Sequence, residues 1–344
     1  MSPRYQPPFT LTAKIVSQVA AVAERIGRLS ALASPGVRLR RINRIRTIRG
    51  SLAIEGNTLS EAQITAILDG KPVIAPPREV QEARNALASY EQLPLWKPAN
   101  EGHLLAAHAS LMRGLVEDAG RYRDGGVGVM RGGQVIHMAP PASRVPLLMR
   151  DLLRWLAKTD QHPLIASSVF HYEFEFIHPF SDGNGRLGRL WQTLILSRWN
   201  PLFAHIPVES LVHAHQAGYY LALGESTRHG DCAVFVEFML DRLLEAIQAH
   251  SAADTTDPVA DPVTDPVDQL LRALASGPLA PSMLLARLGL RHRPTFRSNY
   301  LRPALEGRWI EMTLPDKPSS RLQQYRLTAA GRARLQALTP RDPP

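Results

Sequence analysis

Three Asp-Pro-Val units at four-residue intervals run through AADTTDPVADPVTDPVD, residues 252–268. Proline fixes φ and carries no amide hydrogen, and the stretch has no apolar periodicity, so neither a helix nor an inner strand can cross it. We read 251–267 as an extended linker between a large unit and a small one, which a chain of 344 residues accommodates. Helical signals dominate before it. In LTAKIVSQVAAVAERIGRL, Leu11, Ile15, Val19, Val22, Ile26 and Leu29 recur at three- and four-residue spacing, the mark of one buried helical stripe. EGHLLAAHASLMRGL, with Leu104, Leu105, Leu111, Met112 and Leu115, repeats the pattern, as do SRVPLLMRDLLRWLAK and PLIASSVFHYEFEF. The exception is GGVGVMRGGQVIHMAPP, where Val127 to Met130 and Gln134 to Met138 flank Arg131-Gly132-Gly133 in the manner of a β-hairpin. After the linker come short helices, two strand-like runs about a Pro/Ser turn in RWIEMTLPDKPSSRLQQYRLT, and a last helix, TAAGRARLQAL. That order predicts a winged helix-turn-helix over 268–338, following a mainly α first unit.

Composition narrows the function classes. No stretch approaches the roughly 18 apolar residues of a membrane-crossing helix, so no membrane partner is expected. The opening MSPRYQPPFTLTAK lacks a basic region followed by an apolar one, which predicts a cytoplasmic protein. Cys232 is the sole cysteine, excluding an internal disulfide, and its surroundings, CAVFVEFML, predict a buried thiol. Residues 268–344 hold thirteen Arg and Lys against five Asp and Glu, nearly all of the chain's +9. Such an excess fits contact with DNA, or equally a solvated arginine-rich surface.

The segment IHPFSDGNGRLGRL concentrates a histidine, a carboxylate, close glycines and two arginines where a turn enters a helix. Gly183 and Gly185 allow a tight backbone, and a helix starting near Gly185 offers unpaired N–H groups to an anion. Asp182 suits Mg²⁺, which takes few protein carboxylates plus phosphate oxygens, while Arg186 and Arg189 offer planar forks to outer phosphates. His178, an imidazole that titrates near neutrality, suits a general base for an attacking hydroxyl.

The pattern H-P-F-x-D-G-N-G-R-x-x-R, filled by His178, Pro179, Phe180, Asp182, Gly183, Asn184, Gly185, Arg186 and Arg189, resembles the signature of the Fic family of nucleotidyl transferases. The resemblance spans roughly residues 8 to 250 and implies packed helices around the loop. An upstream hairpin, the flap at 127–138, would hold an extended segment of a target protein by strand addition. It implies a helical region with a regulatory motif at 1–95 and the catalytic core at 96–250. Carried over by residue, His178 is the base, Asp182 binds Mg²⁺, and Asn184 with the amides of Gly183 and Gly185 holds phosphate. Arg186 and Arg189 would hold the β- and γ-phosphates of ATP, and the product is a protein carrying AMP on a Ser, Thr or Tyr hydroxyl. Tyr219 and Tyr220 fall where relatives place residues against the adenine, although packing in a helical core explains them as well.

In SLAIEGN, Ser51 and Glu55 lie four residues apart, on one face if helical, with Gly56 ending the helix. This resembles the inhibitory helix of autoinhibited Fic proteins, implying that Glu55 pairs with Arg189 and displaces the γ-phosphate. Glu55 positioning a water for AMP removal stays open, as does a DNA-binding regulator that senses nucleotide. For that regulator Arg291, Arg293, Arg297 and Arg302 would sit near the recognition helix. A homodimer is compatible with the sequence.

Overall fold

The computed structural model describes residues 5–31, 37–131, 134–256, 266–288, 296, 300–315, 320 and 323–337. The chain divides into two compact units, residues 1–256 and 257–344, each with its own apolar core. At the centre of the first lie α7 (Pro163–Ile177) and α8 (Asn184–Trp199), packed on each other and joined by the loop 178–183. Both are buried nearly all round, as a core helix must be. Around them pack α5 (Glu101–Leu111), α6 (Val145–Lys158), α10 (Gln216–His229) and α11 (Ala233–Thr256). The N-terminal helices share this core: α1 (Ala13–Ser30) lies on α11 and α2 (Val37–Ile54) on α9 (Val208–Ala214). Between α2 and α5 run α3 (Glu61–Leu68) and α4 (Pro77–Gln92).

Helix α1 shows how the expected stripe was modified. Thr12 caps it, its hydroxyl accepting from Ile15 N–H at 3.1 Å, so Leu11 falls before the first turn and is 55% exposed. Ile15, Val22, Ile26 and Leu29 are buried, Val19 only partly, and Gln18 joins the buried face because its amide reaches Asp241 and the Glu237 carbonyl of α11. Cys232 is buried, as its neighbours predicted. The flap is an antiparallel pair, β1 (Gly128–Arg131) and β2 (Gln134–Met138), with Val129 opposite His137 and a bulge between Val129 and Met130.

Helix α11 continues through 251–256, so the first residues assigned to the linker are helical. The second unit opens with α12 (Pro266–Ala273) and α13 (Pro281–Arg287). A short helix, Arg302–Glu306, then leads to β3 (Ile310–Met312), which pairs antiparallel with β4 (Tyr325–Leu327), and Ala329–Ala337 closes the chain. Leu279 adds one more bridge to Tyr325. Leu270, Leu274, Leu284, Phe296 and Ile310 form its core. Arg291, Arg293 and Arg297 lie outside the described residues, while Arg302 is exposed and pairs with Glu306 in its own helix at 2.8 Å. No described helix is long and apolar enough to cross a membrane.

Candidate active site

Helix α7 ends on His178, a non-glycine residue at φ 49° whose amide donates to the Phe174 carbonyl at 2.9 Å. Left-handed backbone costs energy outside glycine, so the surrounding contacts must hold it. Phe180 is fully buried and stacks on His108 with ring centroids 3.7 Å apart. The Nδ1 of His108 accepts from Gly120 N–H at 2.8 Å, which leaves Nε2–H to donate to the Asp182 carbonyl at 2.9 Å. Burial lowers the His108 pKa and keeps that neutral tautomer. The buried Asn184 carboxamide closes the loop from the other side, accepting from Phe180 N–H at 2.9 Å and donating to Phe180 O at 2.8 Å. Its side chain is therefore engaged with loop backbone, whereas the resemblance assigned it to phosphate.

Gly183 caps α8 at φ 83°, where a Cβ would come within 2.6 Å of the Met112 sulfur. The first N–H groups of α8 have no acceptor within the helix and carry its positive end. Asp182 faces them: one carboxylate oxygen accepts from Gly183 N–H (2.6 Å) and Arg186 (2.9 Å), the other from Arg78 (3.1 Å). The buried Arg186 guanidinium also lies 3.4 Å from Glu82, whose other oxygen accepts from Asn57 at 2.9 Å.

The structure brings Ser51, Glu55 and Arg189 together. Helix α2 ends with Glu55 N–H donating to Leu52 O and with Gly56 at φ 89°. Arg189 is buried; its Nε donates to Ser51 Oγ at 3.1 Å, and Nη2 donates to Ser51 O at 3.0 Å and to Glu55 at 2.7 Å. Burial opposes the charge on Arg189, but the adjacent Glu55 carboxylate outweighs it, so its pKa rises overall. A Cβ on Gly185 would collide with the Glu55 carboxylate and the Arg189 guanidinium. The motif glycine is what lets the carboxylate lie over the start of α8.

Glu55, Glu175, His178, Gly185 and Arg189 line a cavity of about 730 Å³, together with residues of α10 that include Tyr220, Leu221, Leu223 and Thr227. Tyr219 borders it too, but its ring is buried and its hydroxyl lies 3.1 Å from His171 Nε2. His171 is neutral: burial pushes its pKa down to about 3, and Nδ1 lies 2.7 Å from the Gln192 oxygen. Sequence reasoning missed Arg78, Glu82, His108, Arg123 and Glu175. Only Glu175 carried a local signal, a carboxylate one helical turn before His178; the others come from α4, α5 and the segment before the flap, far away in sequence.

Residues 98–196 match the Fic/DOC family, and residues 265–328 match the C-terminal domain of Fic-like (filamentation induced by cAMP) proteins. A solved Fic family protein from Desulfovibrio desulfuricans is 56% identical, covering 94% of this chain and 99% of its own, with a TM-score of 0.73. The chain belongs to the Fic family. The mainly helical fold is the Fic fold. Fic-1 from Caenorhabditis elegans has the same fold, with a TM-score of 0.60 over 72% of this chain and 74% of its own at 24% identity. The "Protein adenylyltransferase Fic" of Nematostella vectensis is 29% identical over 224 residues, 61% of this chain and 49% of that protein. The Fic chain described here thus spans about half the length of the curated relatives it matches.

Proposed function

We propose that this Fic chain transfers AMP from ATP to a Ser, Thr or Tyr hydroxyl of a target protein, with Glu55 holding it in check. The observation that carries the reading is that His178, Gly185 and Arg189 line one cavity, so a base, helix N–H groups and a guanidinium would face the same molecule once bound. Relatives named protein adenylyltransferase support the choice of AMP. A triphosphate laid along the start of α8 reaches Arg186 and Arg189, with the base moiety in the slot bordered by Tyr219 and Tyr220. The target hydroxyl, on a segment extended along the flap, bonds to the α-phosphorus as the bond from that phosphorus to the bridging oxygen breaks. The proton goes to the His178 imidazole and pyrophosphate leaves. Alignment and charge stabilisation supply most of the rate.

Asp182 fits Mg²⁺ as a hard, partly exposed carboxylate, one oxygen of which is held by Arg186 and Gly183 N–H while the other meets the exposed Arg78. Among the described residues no group of three or more His, Cys, Asp or Glu could hold a metal. Asp182 would hold Mg²⁺, with phosphate and water oxygens completing its shell, and the ion would neutralise charge on the departing pyrophosphate. In the conformation described, Glu55 occupies the guanidinium that a γ-phosphate needs, and two anions cannot share it without repulsion. Glu55 also lines the cavity, which supports a second reading in which it positions water to remove AMP from a modified protein.

Incubating wild type, Glu55→Gly and Glu55→Gly/His178→Ala with Mg²⁺ and α-labelled ATP, followed by intact mass analysis, tests the proposal. Glu55→Gly is expected to gain AMP well above wild type, and the double variant to lose it by roughly 100-fold or more, the range for a general base. Equal labelling of the two variants rules out His178 as the base. For the second unit, helices followed by a two-stranded ribbon with the Leu279 bridge support a winged helix that contacts DNA. A mobility shift that weakens steeply with salt is the expected result, and no shift at low salt excludes it.

A further inference from the structure

Arg123 lies just before the flap and is 4% exposed. Arginine is rarely buried without a carboxylate partner, because losing its hydration is costly unless its donors are satisfied. Here the partners are all backbone carbonyls. Nε donates to His178 O at 2.7 Å, Nη1 to Gly125 O at 2.7 Å, and Nη2 to Pro140 O at 2.6 Å and Ile177 O at 3.3 Å. The Arg123 amide adds a bond to Pro179 O at 3.0 Å. Ile177 and His178 end α7, where carbonyls lack helical partners and the dipole is negative, so a cation there is stabilised. Gly125 precedes β1 and Pro140 follows β2, so the same group grips both feet of the flap. A planar, permanently charged fork can meet carbonyls from three directions at once; the compact ammonium of lysine cannot.

We propose that Arg123 is a positioning residue that ties the flap to the backbone of His178, so that a peptide segment extended along the flap presents its hydroxyl to the imidazole. The inference rests on the AMP-transfer reading and adds a residue outside the loop motif. Arg123 touches neither nucleotide nor target; it fixes the distance between the surface that carries the nucleophile and the base. The tie is made of main-chain acceptors, so side-chain variation in the flap leaves it intact.

The test compares Glu55→Gly with Glu55→Gly/Arg123→Lys and Glu55→Gly/Arg123→Ala as full chains. It reads thermal midpoint, ATP affinity, AMP transfer, and hydrogen–deuterium exchange of residues 125–140 and 176–183. Arg123→Lys is expected to stay folded and to bind ATP within about twofold of its parent, yet to transfer AMP about 10- to 100-fold more slowly, the penalty of misaligning reacting groups by about an ångström. Exchange should rise in both segments together. Millimolar guanidinium ion should restore part of the Arg123→Ala transfer, which a general loss of structure would not allow. If Arg123→Ala fails to fold, Arg123→Lys decides alone. Parental transfer in Arg123→Lys, loss of ATP affinity in step with transfer, or unchanged exchange in the flap overturns the proposal. Failure of Glu55→Gly itself to transfer AMP counts against the reaction, while the exchange result still decides whether Arg123 makes the tie.

Discussion

Glu175 sits one turn before His178 with its carboxyl between two imidazoles, 3.8 Å from His171 Nε2 and 3.9 Å from His178 Nδ1. The neighbouring helix makes room for it with glycine, since a Cβ on Gly188 would come within 2.9 Å of the carboxyl. Burial pushes its pKa up to about 8; Arg189 pulls it down and Glu55 pushes it up further. The unfolded chain releases this proton at the ordinary glutamate value of 4.5, so between about pH 4.5 and pH 8 the folded state holds one more proton than the unfolded state. Stability from this group is therefore present at low pH and falls as pH rises through that window, by at most roughly 1.4 kcal/mol per pH unit. Glu175→Gln should flatten the dependence. Urea unfolding at about pH 5.5 and about pH 7.5 checks it, and a slope equal to that of wild type contradicts the assignment.

At the scale of elements, the junction of α7 and α8 depends on side chains that act as backbone. Asn184 supplies both an acceptor and a donor to Phe180, as a further turn of main chain would. Asn184→Ala leaves a buried N–H and a buried C=O unpaired, which should cost about 2 kcal/mol and loosen the loop enough to weaken ATP binding. Asn184→Asp keeps the acceptor and should fall between; calorimetry and ATP titration together read both effects. Helix α2 shows how an element only partly legible in the sequence, through Ser51, Glu55 and Gly56 at its end, is packed. Its run RLRRINRIRTIRG sets Ile45, Ile48 and then Leu52 at three- and four-residue spacing among closely spaced arginines, and its buried face adds the polar Asn43, Thr47 and Ser51. Asn43 is 3.0 Å from His250 of α11, and Gly50 lets the α9 backbone approach so closely that a Cβ would lie 2.5 Å from Ser210 N. The helix is held by the burial of Ile45, Ile48 and Leu52 together with close approach and hydrogen bonds, and the last two leave no periodic signature.

For the whole molecule, the separate cores predict separable units. The chain ending at Thr256 should unfold in one cooperative transition and bind ATP within about twofold of the full chain, because every residue placed at the cavity lies in the first unit. Calorimetry and nucleotide titration of the truncated chain check this; a broad, non-cooperative transition contradicts it. The N-terminal helices cannot be removed in the same way. Residues 1–95 and 96–250, read apart in the sequence, are built on one core, with α1 on α11 and α2 on α9.

The sequence by itself determined the mainly helical unit, the hairpin, the break at the Asp-Pro-Val repeat and the motif from His178 to Arg189. Each of these is a local property: a periodicity, a run of prolines, or a motif whose residues are neighbours in the chain. It also nominated Glu55 and Arg189 as a pair, through resemblance. Only the tertiary structure decided that they meet at 2.7 Å, that Asn184 faces its own loop, that Tyr219 spends its hydroxyl on His171, and that Arg123 joins the flap to His178. Those contacts join residues whose separation in sequence ranges from four to more than a hundred. Which donor meets which acceptor there is set by how helices pack and which polar groups burial obliges to pair, and no local pattern encodes that.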